Sequence, residues 1–425
     1  MAGSTITTYD ALMKERYMDG DFVERLVYPD NPLLAKLQKL GDTAMVGDQM
    51  PVPLFTALPQ GHAIGFTTAQ TNAGLTAGNT TSLKFVITAG DYHDVIYIGD
   101  KVLMASRTNN GAFLENKEVE MDGLMEQAGE NHSIYLWGNG GNALGQRASI
   151  SGNDVQLVKT IDAQNFEVGM NLVASDNDGA TSTDALRAGS AATLTGVNRG
   201  TGVLTATDWA DITSFANNDY LFREGDFAGD QGGIVYKGVQ AFITATDSAP
   251  ALWGITAAQR LAHVERLSGC RVPTAITNGK TYEERIKILL SWMAGRFKTK
   301  TSGLTGYMNG EDFQVLETLM AARGVRQLED DSTKFGFARI DIQTAAGRIP
   351  IIADRHCPKG TFFALRMDDW GISSMGELFR WQGAAPGSGL QLLRVYNSTN
   401  YEARIISYPL LYNRAPKNSG RVSLS

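Results

Sequence analysis

The sequence predicts an α+β chain that carries a small all-β insertion, on three observations. Residues 109–137 keep a helical spacing of apolar side chains without a break. Short alternating runs bounded by turn residues recur over much of the rest, in a chain with 46 glycines, well above the usual ~7%. Residues 153–230 differ sharply in charge from what flanks them: 12 Asp and Glu face 4 Lys and Arg, so this island carries −8 and the remaining chain +1. The bulk composition, 43% hydrophobic and 20% charged over 425 residues with net charge −7, excludes global disorder. Length allows several domains or one domain with insertions.

Taken in order, residues 1–40 hold short amphipathic pieces. Leu12, Met13 and Tyr17 share a helical face, Tyr28–Pro32 is turn chemistry, and Leu33–Leu40 predicts a short helix ended by Gly41. A packed N-terminal helix and an arm lying on a neighbouring subunit both fit this segment. Over 41–108, Pro51, Pro53 and Pro59 exclude a central strand. The alternation of Leu83, Phe85 and Ile87, followed by 95–98 and 101–104, predicts one long β-hairpin whose tip, 68–81, is small, polar and flexible. A lone ribbon is marginal in water, and the chain shows no obvious internal partner for it. In the 109–137 helix, Leu114, Met121, Leu124, Met125, Ala128 and Tyr135 recur at spacings of three, four and seven, a rod of about 40 Å. Strands are expected in the island at 155–160, 170–174, 192–197, 203–207 and 220–223, with a Gly200/Gly202 hairpin turn. Beyond it, Thr256 caps a helix over 257–267, and Thr281-Tyr-Glu-Glu284 is a capping box opening a helix to about Phe297 with Ile286, Leu289, Leu290 and Met293 inward. Residues 305–308 form a short strand. Asn309 caps a helix carrying Phe313, Leu316, Leu319 and Met320, and the remainder is mainly strands at 338–343, 349–353, 360–365, 390–396 and 401–408.

Motifs for chemistry are scarce. The five histidines, His62, His93, His132, His263 and His356, show no metal-ligand spacing. Gly138-Asn-Gly140-Gly-Asn-Ala143 fits a loose G-x-G-x-x-A, but a helix precedes it where a dinucleotide site needs a strand, so a flexible hinge is the expectation. Cys357 beside His356 lacks an orienting partner and reads as an idle, buried thiol. Cys270 and Cys357 do not make a disulfide framework, which points to reduced cytosolic thiols. Asp354, Asp368 and Asp369 read as a solvated loop. Arg296, Lys298 and Lys300 complement the end of a helix dipole. No secretion signal or membrane-spanning run is seen, and the net negative charge argues against a dedicated nucleic-acid binder.

The ordered set of parts, namely helical arm, polar-tipped hairpin, long rod helix, α/β region and strand-rich return, resembles the major capsid protein of tailed bacteriophages, the Hong Kong 97-type capsid fold. Local phrasing agrees: Gly347-Arg-Ile-Pro-Ile-Ile-Ala-Asp354, Pro358-Lys-Gly-Thr-Phe-Phe-Ala-Leu365, Asp369-Trp370-Gly-Ile, and Tyr307-Met-Asn-Gly-Glu-Asp-Phe313 leading into a helix. The resemblance implies an N-terminal arm over 1–40, an extended loop over 41–108 and the spine helix of a peripheral domain over 109–152. It implies further an inserted β-domain over 153–230, an axial domain over 231–335, and peripheral strands with a return to the axial domain over 336–425.

It also implies function. The chain would assemble through pentamers and hexamers into an icosahedral virion shell around double-stranded DNA, built in the host cytoplasm. It would have no enzyme activity, cofactor, metal or membrane. A separate scaffolding protein, a portal and a decoration protein are the implied partners, with DNA touched only weakly and nonspecifically. Because the ribbon lacks apolar residues enough to fold alone, Leu54, Phe55, Phe66, Lys84, Phe85 and Tyr97 are the candidate subunit contacts. The acidic island is expected to project away from the genome. An encapsulin-like shell, another virion component and an uncharacterised hydrolase are the alternatives; the last needs a convergent polar pocket that the sequence does not show.

Overall fold

A computed structural model describes residues 31–40, 45–59, 61–74, 80–100, 110–181, 184–227, 229, 236–247, 249–321, 328–330, 337–344, 347–382, 393–396 and 398–424. The expected arm before residue 31, the run 101–104 and the end of the helix at Gly324 lie outside them.

Among the described residues, three apolar cores organise the chain. One lies between a wide sheet and two helices. The sheet has seven strands in the order Cys270–Arg271, Gly420–Ser423, Thr361–Arg366, Leu304–Met308, Gly347–Ala353, Phe337–Thr344 and Leu328–Asp330. Helices Tyr282–Ala294 and Gly310–Ala321 contribute Ile286, Leu289, Leu290, Met293, Phe313, Leu316 and Met320, which meet Ile340, Ile342, Ile349, Ile351 and Phe362 from the strands. Both helices start where their caps say. The Thr281 side chain accepts from the Glu284 amide and Glu284 reaches back, while Asn309 Oδ1 accepts from the Glu311 amide at 3.0 Å. The Thr256 capping box with Gln259 is likewise formed, but its helix breaks at His263 into Ala257–Ala262 and Val264–Leu267.

The second core runs through the body and gathers segments far apart in sequence. Helix Pro32–Lys36 buries Leu33 and Leu34, and Leu37 follows them inward. Residues 38–40, expected to continue that helix, instead pair in parallel with Trp370–Ser374. Leu37 is already extended, and the edge amides of the 370–374 strand offer the backbone bonds that a frayed last turn lacks.

The helix Asn110–Trp137 has 28 residues. Its middle is one-sided, with Met121, Leu124, Met125 and Ala128 buried. Over its last turns Asn131, His132, Ser133, Tyr135, Leu136 and Trp137 are all buried, because the body holds one side and the inserted barrel the other.

The third core fills that barrel, six strands closed in the order Tyr220–Arg223, Gly145–Ser151, Asp154–Leu157, Val203–Ala206, Ala192–Asn198 and Asn171–Ser175. Its first strand starts at Gly145, eight residues ahead of the expected boundary. That strand reads as polar because Arg147 is one of its inward residues; the guanidinium donates to the Phe215 carbonyl at 2.8 Å and lies over the Phe215 ring.

The Gly138–Ala143 loop joins the long helix to the barrel and is no hinge. A Cβ on Gly141 would fall 1.8 Å from the Asp178 carbonyl oxygen, and one on Gly238 would fall 2.2 Å from the Tyr135 carbonyl oxygen. These glycines let three backbones touch. Asn139 Nδ2 donates to Asp178 at 2.7 Å and Asn142 Nδ2 to the Asp226 carbonyl at 2.8 Å. Gly141→Ala is expected to cost about 3 kcal/mol by overpacking. Gly123→Ala, on an open face of the long helix, should stabilise by about 0.5–1 kcal/mol. Urea denaturation of the two variants checks both signs.

Candidate functional site

The ribbon expected over 41–108 forms only in part. Gln49–Ala57 pairs antiparallel with Thr81–Thr88, from Gln49 opposite Thr88 to Leu54 opposite Leu83 and Phe55 opposite Ser82. Pro51 and Pro53 sit on this two-stranded ribbon, where absent amides interrupt no sheet interior. The next strand, Tyr92–Ile98, does not extend the hairpin. It pairs with Tyr401–Ser407 in another sheet, Tyr92 opposite Ser407 and Ile98 opposite Tyr401.

The ribbon also has the internal partner that the sequence hides. Along 49–57 exposed and buried residues alternate, and Met50, Val52 and Leu54 join Phe85 and Ile87 in the body core. Leu54 (3% exposed) and Phe85 (0%) are therefore withdrawn from the candidate subunit contacts. Phe85 meets Phe242 edge-on, ring centroids 5.6 Å apart.

What the inner face gains, the outer face and the tip do not. Phe55 is 63% exposed and Phe66 82%, and Val46, Leu58 and Ile64 are exposed with them. The tip is not featureless: Phe66–Gly74 is a helix, and none of its residues is buried. An isolated helix of this length is marginal in water. Lys84 is exposed opposite Pro53 on the ribbon. Tyr97 is 67% exposed, but on the 92–98 strand, so it belongs to a separate surface along with Val95. Four of the six candidates thus face solvent, three of them on the ribbon and its tip helix.

Elsewhere polar groups are used for holding. Asp354 is buried and accepts from the His356 amide at 3.0 Å and the Leu33 amide at 3.4 Å, fastening the 32–36 helix to the 354–357 turn. Burial pushes the Asp354 carboxyl up and the Cys357 thiol well up. Burial drives His356 down to about 3, and its Nε2 accepts from Arg355 at 3.1 Å. Among the described residues no three of His, Cys, Asp and Glu gather as a metal-binding group, and no helix is long and apolar enough to cross a membrane.

The barrel's seat is a polar network. Tyr135 donates to Asp226 at 2.8 Å, Arg223 donates to Asn131 Oδ1 at 3.1 Å, Asn131 Nδ2 donates to Tyr92 Oη at 3.1 Å, and Tyr92 donates to Asp94. Burial raises both carboxyls, Asp94 and Asp226. Beside it a cleft of about 350 Å³ between barrel and body is lined by Lys159, Asp162, Asn165, His356 and Lys359 among others, with Asp162 pushed up to about 6 by burial.

One buried group lies wholly inside. His132 Nδ1 is 3.0 Å from Tyr236 Oη, and that hydroxyl donates to the His132 carbonyl at 2.8 Å. The hydroxyl has one proton, so Nδ1 is the donor of the first bond. Among the described residues Nε2 has no partner, and burial lowers the ring to about 3.

The model of one protein family, described as SU10 major capsid protein, matches residues 101–391. Among the curated proteins none matches. Among solved structures, the Cyanophage A-1(L) capsid asymmetric unit is similar at 10% identity, covering 96% of this chain and 95% of that one, TM-score 0.49. The capsid of an empty GTA particle is similar at 9% identity over 93% and 96%, TM-score 0.40. A chain of the phage G assembly of major capsid and decoration proteins is similar at 8% identity over 92% and 91%, TM-score 0.38.

Proposed function

The chain belongs to the SU10 major capsid protein family and is a shell-forming capsid protein, and from that premise we propose that its copies meet chiefly through the ribbon and its tip helix. The observation that carries this is that the ribbon buries its inner face in the body while Phe55 on its outer face and Phe66 on its tip helix stay exposed. A folded chain rarely leaves several large side chains together in water. A second copy, present at every position of a shell, supplies the cover.

On this reading the ribbon is the extended loop, 110–137 the spine of a peripheral domain, and the wide sheet with its helices the axial domain. Copies form pentamers and hexamers closed into an icosahedral shell around double-stranded DNA, assembled in the host cytoplasm on a separate scaffolding protein and joined by a portal. The barrel, with its acidic surface, lies outward and is open to a decoration protein.

Electron microscopy of the purified chain, with and without the products of neighbouring genes, tests the proposal. Closed shells or capsomer rings are expected, with the barrel on the outer wall. A stable monomer under all conditions would overturn it, and a barrel on the inner wall would overturn its orientation.

A further inference from the structure

Strand Tyr92–Ile98 lies at the edge of its sheet, and its one described neighbour is Tyr401–Ser407. The backbone groups that this pairing leaves over follow from the far side of the 401–407 strand. There the Gln382 amide donates to the Arg404 carbonyl at 2.9 Å, so Arg404 turns its backbone groups away from 92–98. Bonding direction alternates along an antiparallel strand. Residues 402, 404 and 406 therefore serve strands Arg380–Trp381 and Leu393–Arg394, and residues 401, 403, 405 and 407 serve 92–98. Opposite the latter stand Ile98, Ile96, Asp94 and Tyr92. His93, Val95 and Tyr97 thus point their N–H and C=O groups to the open edge, where among the described residues no backbone group meets them.

The same three residues hold the exposed face of the strand. Tyr92 and Ile98 are buried, Ile96 packs against the body core, and Asp94 lies on that inner side with its carboxyl bonded by the Tyr92 hydroxyl. An open edge is a template for another strand, and proteins blunt such edges with proline, lysine, bulges or shortness. The other described edges are treated so. Gln38–Leu40 and Leu328–Asp330 have three residues each, and Cys270–Arg271, Arg380–Trp381 and Leu393–Arg394 have two. Gln49–Ala57 carries Pro51 and Pro53. Thr81–Thr88 carries Lys84 and gives its Val86 amide to the Trp253 carbonyl at 2.9 Å, and Pro409–Asn413 opens on proline and is buried throughout. Strand 92–98 instead runs seven residues in unbroken register without proline or lysine.

Its residues match a second copy of themselves. Laid antiparallel on its own copy about Val95, the strand sets Val95 opposite Val95, His93 opposite Tyr97 and Asp94 opposite Ile96. Each opposed pair at the open edge then exchanges both backbone bonds. No like charges face each other, and the aromatic and β-branched side chains stand where cross-strand pairs stabilise a sheet. Centring on Asp94 would oppose two carboxylates. Centring on Ile96 would put His93 opposite residue 99, beyond the strand.

We propose that the 92–98 strands of two copies pair antiparallel about Val95 across a twofold axis, joining their sheets into one. The proposal rests on the shell reading above. An icosahedral shell supplies twofold axes, and a contact on such an axis must be self-complementary. This contact is separate from that of the ribbon, because Val95 and Tyr97 lie on a different sheet from Phe55.

Single cysteines in the full-length chain test it, since Cys270 and Cys357 are both buried. In the proposed register the two Val95 Cα atoms lie about 5.5 Å apart, which a disulfide spans. The two His93 Cα atoms lie about 14 Å apart, which it does not. Mild oxidation of assembled Val95→Cys chains should convert most of them to disulfide-linked dimers on a non-reducing gel. H93C and Y97C singly should give none, and the double variant H93C/Y97C should link. V95K sets two ammonium groups opposite each other. It should need at least about tenfold more protein to form shells, at an unchanged melting temperature and with partial recovery in high salt. Shells in which V95C stays unlinked, or in which H93C links as readily, overturn the contact and leave the shell reading standing. V95K shells at the wild-type concentration overturn it as well. Absence of shells from the wild type overturns both.

Discussion

Replacing Phe55, Ile64 and Phe66 together by serine is expected to abolish shell formation while leaving the protomer folded. All three side chains stand in water on the described chain, so their removal takes nothing from its cores. Each is worth about 1.5–3 kcal/mol when fully buried by a partner. Losing three per copy weakens each contact by about 5 kcal/mol, a factor of more than about 10³ in association, repeated at every interface of a closed shell. Phe85→Ala on the same ribbon should do the opposite. Its ring is fully buried against Phe242, and truncation should cost about 3–5 kcal/mol of protomer stability. Urea denaturation measures the protomer, and light scattering with electron microscopy measures the shells. Normal shells from the triple serine variant would remove the ribbon's outer face from the assembly contact.

That contrast between Phe55 and Phe85 also shows where sequence reading stops. Alternation along 83–87 is enough to place a strand, but not to say whether its inward face meets the same chain or another. The partner, Phe242, lies more than 150 residues away, and periodicity carries no information about it. The same limit applies to the 92–98 strand, which looks like the ribbon's continuation and pairs instead with 401–407. The capped helices were legible because a cap is a local matter: Thr281 and Glu284 satisfy each other's amides across three residues. The barrel was legible through composition, except its first strand, where an inward Arg147 hides the apolar alternation. The Gly138–Ala143 loop misleads for a physical reason. Glycines that permit motion and glycines that permit contact look alike until the Asp178 carbonyl is seen 1.8 Å from where a Cβ would stand. The tip helix 66–74 lacks any apolar stripe, so no pattern points to it, and Phe66 alone marks it as a surface to be covered.

Acid should find the buried His132 first. In the unfolded chain its pKa is about 6.5; in the folded chain burial holds it near 3. Above pH 6.5 the ring is neutral in both states and the full stability is present. As pH falls below that value the unfolded chain takes up a proton that the folded chain refuses, and stability drops by about 1.4 kcal/mol per pH unit until the folded pKa is reached. Buried carboxyls work against this: Asp162, pushed up to about 6, and Asp94, Asp226 and Asp354, raised by burial, are relieved as they protonate. His356, also near 3, adds to the loss. The wild-type profile alone therefore mixes opposite signs, and a variant separates them. His132→Gln should be less stable than the wild type at pH 7.5, because it loses ring contacts with Tyr92 at 4.6 Å and Phe379 at 4.9 Å. The gap should narrow by about 2 kcal/mol between pH 6.5 and 4.5, since only the wild type carries the refused proton. Urea denaturation of the unassembled chain across that range measures it. A gap independent of pH would mean that His132 takes its proton in the folded chain, which the partnerless Nε2 among Tyr92, Tyr236 and Phe379 gives it no means to hold.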